Sequence, residues 1–551
     1  MSRTPTAVDT LADDFVARYV VLDPIAATEM GIRGHDHEMT DLSPAGHAAR
    51  TALLREAVGA IGSATLADDT DRVTIDALRF SLGAEIALDE AGETLAPVNN
   101  IASPLQGLRD VFDLMATDTE DDWAAVADRL RALPAAAAGY AESLRAAADA
   151  GRVPAVRQIE EGIRQASELA DPSSSFFPTF AAGGPEALRD ELAAAAADAS
   201  AAYGSLVETL RSLAPRAPQA DGFGRDRYAL WSRYFIGATV DLDETYAWGL
   251  DQLAAITAEQ TRIAQRIVGP GATVEDAIAR LDADPARKLH GTDALQRWMQ
   301  STADSAVAAL DGTHFTIAEP LHRLECRIAP TQTGGIYYTG PSDDLSRPGR
   351  MWWSVPPGIE EFSTWRERTT VYHEGVPGHH LQVGTAVVNR DELNDYRRLA
   401  SWTSGHGEGW ALYAERLMAD LGFLDDDGDR LGMLDGQRMR AARVVFDIGV
   451  HLGLTAPDEF GGGTWDADKG WELLRTNLHQ AEGFNRFEWL RYLGWAGQAP
   501  SYLVGQRLWL EIREQARAAA TANGEQFDLP AFHSRALNLG SLPLEVLATV
   551  V

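Results

Sequence analysis

Run after run of apolar residues at helical spacing, broken by proline and glycine and carrying no repeat of about 20–50 residues, confines this chain to a large helical protein. Residues 11–19, 73–88 and 123–133 place apolar side chains three and four positions apart. Residues 134–148 and 193–202 are rich in Ala, the strongest helix former, and predict closely packed helices. Pro104, Pro134, Pro154 and the loop Asp171-Pro172-Ser173-Ser174-Ser175 are expected to separate such runs. Residues 212–226, with Pro215, Pro218, Gly222 and Gly224, predict a long irregular segment before helices resume at Arg227 and over 242–265.

A chain of 551 residues exceeds what one core organises, so two helical subdomains around a cleft are expected, residues 1–300 and a catalytic 301–551. The apolar share of 45% suits a folded protein. One β signal interrupts the helices, over residues 327–355. There Gly334-Gly335-Ile336-Tyr337-Tyr338, a turn at Ser342-Asp343-Asp344, and Arg350-Met351-Trp352-Trp353-Ser354-Val355 predict a short hairpin or small sheet at the cleft edge. Such an element suits a peptide bound as an added strand, and Tyr338 on it is assigned to substrate binding.

The formal net charge of −33 argues against nucleic acid and anionic membranes as partners. Nearly every cation is Arg; Lys288 and Lys469 are the only lysines. No basic stretch followed by an apolar one opens the chain, and no window approaches the roughly 20 apolar residues of a membrane span, so a cytoplasmic protein is expected. The single cysteine, Cys326, supports neither an intrachain disulfide nor a cysteine-rich metal site. A metal here has to be held by His, Asp or Glu.

The segment Tyr372-His373-Glu374-Gly375-Val376-Pro377-Gly378-His379-His380 carries that chemistry. Neutral imidazoles bind zinc, and a glutamate beside them takes a proton from the water that the ion activates. The usual spacing puts the second histidine four residues after the first, but that position is Pro377. In a straight helix His380 returns to the face of His373 only about 10 Å along the axis, too far to share an ion with bonds of about 2 Å. The helix is therefore expected to break at Pro377-Gly378 and bring His379 back toward His373. His379 is preferred to His380.

A third ligand is needed, and the candidate lies downstream in Ser404-Gly405-His406-Gly407-Glu408-Gly409-Trp410, where Glu408 begins a helical run; Glu415, two turns on, is expected to act as a supporting carboxylate. A fourth position is left for water. Two more stripes fit a cleft. Arg443, Asp447 and His451 share one helix face, with Asp447 expected to orient His451 and His451 to stabilise an oxyanion; an interhelical ion pair explains the same stripe equally well. Further on, Tyr492 and Tyr502 are candidate phenol donors to a tetrahedral intermediate, and Arg491 with Gln498 is a candidate substrate anchor; the aromatics serve equally as core.

Together these pieces resemble the bacterial domain-of-unknown-function family 885. The matching residues are His373-Glu374 with Pro377-Gly378-His379, Glu408-Gly409-Trp410-Ala411 with Tyr413 and Glu415, and residues 443–451. Arg491-Tyr492 with Gly497-Gln498-Ala499, Tyr502 and Gly505, Tyr337-Tyr338, and Ser346-Arg347-Pro348-Gly349 match too. Ala496 departs from the Pro common there. The family looks like a distant relative of helical zinc carboxypeptidases and oligopeptidases. The resemblance implies His373, His379 and Glu408 as ligands of one zinc ion, other divalent metals being alternatives, and Glu374 as general base.

The expectation is a mainly α protein with a deep central cleft, a zinc metallopeptidase-like hydrolase acting on short peptides or peptide-like amides. Two competing readings are a hydrolase of a non-peptide amide in specialised metabolism and a binding protein that kept the fold without catalysis. The intact Glu374 speaks against the second, since a binder needs no such base. The oligomeric state is left open, a homodimer included.

Overall fold

The periodic runs fold as helices with side-chain caps at their first turns. Residues 11–19 lie in Ala7–Leu22, which opens on a capping box of Thr6 and Asp9; residues 73–88 lie in Asp69–Glu90, capped by Asp68. The computed structural model describes residues 3–329 and 335–551. Among the described residues helix accounts for 67%, in 22 α-helices, against five strands of three to five residues, so the protein is mainly α.

Pro134 does not separate two helices. It lies inside one helix, Glu120–Asp149. An interior proline removes a backbone donor and costs about 3 kcal/mol relative to Ala. Tertiary packing overrides that cost, because the apolar stripe runs straight through it. Val126, Leu130, Leu133, Ala137, Tyr140 and Leu144 are all buried, and the helix packs on the Ala-rich helix Arg189–Leu213. After residue 213 a single 3-10 turn, Ala214–Arg216, leads into irregular chain up to Gly224, as the prolines and glycines predict, and a new helix runs Arg225–Ile236.

Two main cores result. One is built from residues 42–213. The larger joins residues 8–82 to residues 228–547, so the first helices pack on the last third of the chain. Phe15 meets Tyr396 edge to face at 6.1 Å, and Asn394 Nδ2 donates to Asp9 at 3.0 Å.

The strands form two small sheets. β1 (Lys288–His290) pairs antiparallel with β5 (Glu361–Ser363), a ladder the sequence did not signal. β2 (Leu324–Ile328), β3 (Ile336–Thr339) and β4 (Gly349–Trp353) form the other, with β4 central, parallel to β2 and antiparallel to β3. Cys326 and Met351 face the small core beneath this sheet. Gly334, at the start of the expected hairpin, lies outside the described residues.

Seven helices bound the site: α1 (Leu242–Ile267), α2 (Thr364–Glu374), α3 (His379–Val388), α4 (Ser404–Asp420), α5 (Asp427–Leu452), α6 (Glu482–Gly494) and α7 (Ser501–Ala522). α5 is buried along nearly its whole length between α1, α2 and α6. α4 and α7 meet backbone to backbone. A Cβ on Gly409 would stand 2.4 Å from the carbonyl carbon of Gly505, and one on Gly505 2.2 Å from the oxygen of Gly405. Only glycine permits that approach, and it fixes the N-terminal turns of α4, where Glu408 sits.

Candidate metal centre

α2 ends at Glu374, and the chain crosses Gly375-Val376-Pro377-Gly378 before α3 begins at His379. The crossing is tight. Gly378 N–H donates to Tyr372 O at 3.0 Å, and a Cβ on Gly378 would fall 1.9 Å from His373 O. The break turns His379 back beside His373, with ring centroids 4.9 Å apart and planes perpendicular. His380 is carried elsewhere: one ring nitrogen, Nε2, lies 3.0 Å from Leu321 O and the other, Nδ1, 3.0 Å from the Tyr338 hydroxyl. Tyr338 thus supports His380, with its ring edge-on to the imidazole.

Glu408 joins the two histidines from α4. Its Oε2 lies 3.2 Å from His373 Nε2 and 3.5 Å from His379 Nε2, and one donor atom from each residue falls within 4.8 Å of the others. Tetrahedral zinc with bonds of about 2.0–2.1 Å holds its donors about 3.3 Å apart. The set and its spacing therefore fit such an ion. The other face of His373 is fixed by Glu415, one more heptad along α4, whose Oε1 lies 2.8 Å from Nδ1; Thr369 of α2 donates to the second carboxylate oxygen. A carboxylate so placed fixes the orientation of the imidazole, as one does behind a metal-bound histidine. Trp410 Nε1 donates to Pro377 O at 2.8 Å, tying α4 to the helix break.

Electrostatics follow from burial and these contacts. Burial opposes charge on the His373 ring, but Glu408 and Glu415 outweigh it and push its pKa up to about 10. Burial raises Glu408, yet bonds from His373 and His379 hold it well below the usual carboxylate range. Glu374, buried at 7% exposure, is raised by burial, with the charges of His373, His379 and Arg440 acting against that rise. The Glu408 side chain keeps 18% exposure, so solvent reaches the cluster.

The second group of expected residues forms a separate buried network between α5, α6 and α7. Arg443 pairs with Glu488 at 2.9 Å and donates to the Tyr492 hydroxyl, which itself donates to Glu488. Arg491 pairs with Glu488 at 3.2 Å and donates to Gln498 Oε1 at 2.6 Å. The Tyr492 hydroxyl, the two terminal nitrogens of Arg491 and the Gln498 amide are engaged with one another and their neighbours. Asp447 does not orient His451. It accepts from the Tyr228 hydroxyl and Gly497 N–H, while His451 Nε2 lies 2.8 Å from Tyr492 O. Tyr228 touches both, its hydroxyl on Asp447 and its ring stacked on the His451 imidazole at 5.7 Å, but sharing a helix face did not bring the two into direct contact. Tyr502 differs from the rest: its hydroxyl makes no hydrogen bond among the described residues, and its ring faces Arg443 and Arg440 at 4.8 and 5.7 Å.

Three contributors were not legible beforehand: Thr369, Arg440 and Glu488. Thr369 stands four residues before His373, on the same helix face, and that spacing was the one available signal.

A family model described as "Bacterial protein of unknown function (DUF885)" matches residues 24–551. No functionally curated protein matches the chain. Among solved structures, a candidate lipoprotein of Colwellia psychrerythraea superposes with a TM-score of 0.83 at 22% identity, over 98% of this chain and 97% of that one. A candidate lipoprotein of unknown function from Shewanella oneidensis superposes with a TM-score of 0.74 at 16% identity, over 99% of each. At these identities the likeness shows a shared fold. Among the described residues, no helix is long and apolar enough to cross a membrane.

Proposed function

We propose, from the premise that this chain belongs to the DUF885 family, that it is a metal-dependent hydrolase cleaving amide bonds in short peptides, with zinc held by His373, His379 and Glu408. One observation carries the reading: a broken helix and a second helix deliver two imidazoles and a carboxylate whose donor atoms lie within 4.8 Å of one another, and Glu374 follows directly on the first of them.

A zinc ion bound there supplies Lewis acidity toward water and the substrate carbonyl. Glu374, adjoining His373 at the end of α2, then takes a proton from the attacking water and returns it to the leaving amide nitrogen. Glu415 holds His373 with Nε2 facing the cluster. Of the three expected oxyanion donors, Tyr502 is the one with a free hydroxyl, and Arg440 links its ring to Glu374 through charge. The test pairs elemental analysis of the purified protein with a panel of dipeptides and acyl-amino-acid amides, run on wild type and Glu374→Gln. The expected result is one bound divalent ion in both proteins and a fall of about 10²–10⁴ in kcat for the variant. Undiminished hydrolysis by Glu374→Gln sinks the mechanism.

A further inference from the structure

Large apolar side chains scattered on a surface need no explanation, but Trp402 is exposed in one particular place. It is 54% exposed. Its ring lies 6.3 Å from that of His379, and its six-membered edge covers Gly407, where an added Cβ would stand 2.2 Å from Cη2. Gly407 precedes Glu408. The indole therefore borders one candidate ligand, His379, and covers the backbone that leads into another, on a site that solvent reaches.

The backbone that presents it is fixed on both sides. Ser401 and Thr403 are buried at 7% and 5% exposure. Ser401 N–H donates to Tyr396 O at 2.7 Å, and its hydroxyl donates to Ser541 O at 2.9 Å. Thr403 O accepts from both His406 and Gly407 N–H at 3.0 Å. A rigid aromatic face held open beside a polar cluster is pre-organised for contact with a ligand and loses little freedom on binding.

We propose that Trp402 is the specificity platform of this site: it stacks on an aromatic or flat apolar group adjoining the amide that is cleaved at His373, His379 and Glu408. This rests on the metal-hydrolase reading and narrows its substrates to amides carrying such a group next to the scissile bond. Stacking of this kind is worth roughly two- to tenfold in affinity.

The test is calorimetric titration of the zinc-loaded protein with acetohydroxamate and benzohydroxamate, which share the chelating group and differ by a phenyl ring. Wild type is expected to bind benzohydroxamate about tenfold more tightly. Trp402→Ala is expected to lose that preference with acetohydroxamate affinity unchanged, and Trp402→Phe to keep most of it. Trp402→Leu, which retains an apolar cover over Gly407 but no π-face, makes the same test should the alanine variant not fold. If both ligands bind and the preference survives in the Ala and Leu variants, the platform is overturned and the metal site stands. If neither ligand binds zinc-loaded wild type, the metal reading falls and takes the platform with it.

Discussion

His373 Nδ1 lies 2.8 Å from Glu415 Oε1, so the imidazole that faces Glu408 with one nitrogen is gripped from behind by a second carboxylate on the same helix. Removing that grip leaves all three proposed ligands in place but frees the ring. Glu415→Gln is expected to weaken metal binding by about 10–100-fold, against complete loss in Glu408→Ala. Competition with a chromophoric chelator measures both. Equal affinity in wild type and Glu415→Gln would show that the contact is packing alone.

Gly378 sits where any side chain collides with the carbonyls of His373 and Tyr372. Gly378→Ala has to widen the helix break that brings His379 to His373. The expected cost is about 3 kcal/mol, the upper part of the range for overpacking, together with loss of stoichiometric metal. Urea denaturation and elemental analysis read the two effects separately. A variant with wild-type midpoint and full metal content would mean that the crossing has room the geometry does not show.

That crossing also marks how far the sequence could be read. His-Glu followed by Pro at the second-ligand position excluded a straight helix, and Pro-Gly supplied the means of breaking it, so the preference for His379 over His380 followed from local chemistry. The helical class was equally legible, because spacing at 3.6 residues is a local property. Long-range partners were not. Arg443, Asp447 and His451 share a face, yet Glu488 and Tyr492 capture the first, Tyr228 and Gly497 the second, and the Tyr492 carbonyl the third. Pro134 misled for the same reason, since the packing that carries a helix through it comes from a helix some 60 residues away. Trp402 bore no signal at all, because exposure is set by the fold.

Glu488 stands between two buried guanidiniums, Arg443 and Arg491, and their charges hold it down to about 2 despite its burial. Neutralising it leaves two buried cations with no counter-charge. Glu488→Gln is expected to destabilise the protein by about 3–5 kcal/mol. Arg443→Met with Glu488→Gln should recover part of that loss, since it removes one of the stranded charges. Chemical denaturation of the two variants checks this. A Gln variant as stable as wild type would mean that the network is hydrated and contributes little.

Asp447 and His451 lie one turn apart on α5, and burial shifts them in opposite directions. Asp447 is pushed up to about 7 and His451 down to about 4, against unfolded values of about 3.9 and 6.5. For Asp447 the folded state binds the extra proton between its two values. Its stabilising contribution is therefore full below about pH 4 and is lost as pH rises through about 7. For His451 the folded state binds fewer protons, so its contribution is full above about pH 6.5 and is lost as pH falls through about 4. The two slopes oppose each other between about pH 4 and 6.5, and substitution should uncover each. Asp447→Asn is expected to gain on wild type as pH rises from 5 to 7, by up to about 1.4 kcal/mol per pH unit, and then to hold a constant difference. His451→Gln is expected to lose ground on wild type between pH 4 and 6.5. Urea midpoints of the three proteins at pH 5, 6, 7 and 8 decide the matter. If the gap between wild type and Asp447→Asn is the same at pH 5 and pH 7, Asp447 is ionised throughout and its burial is compensated by charge.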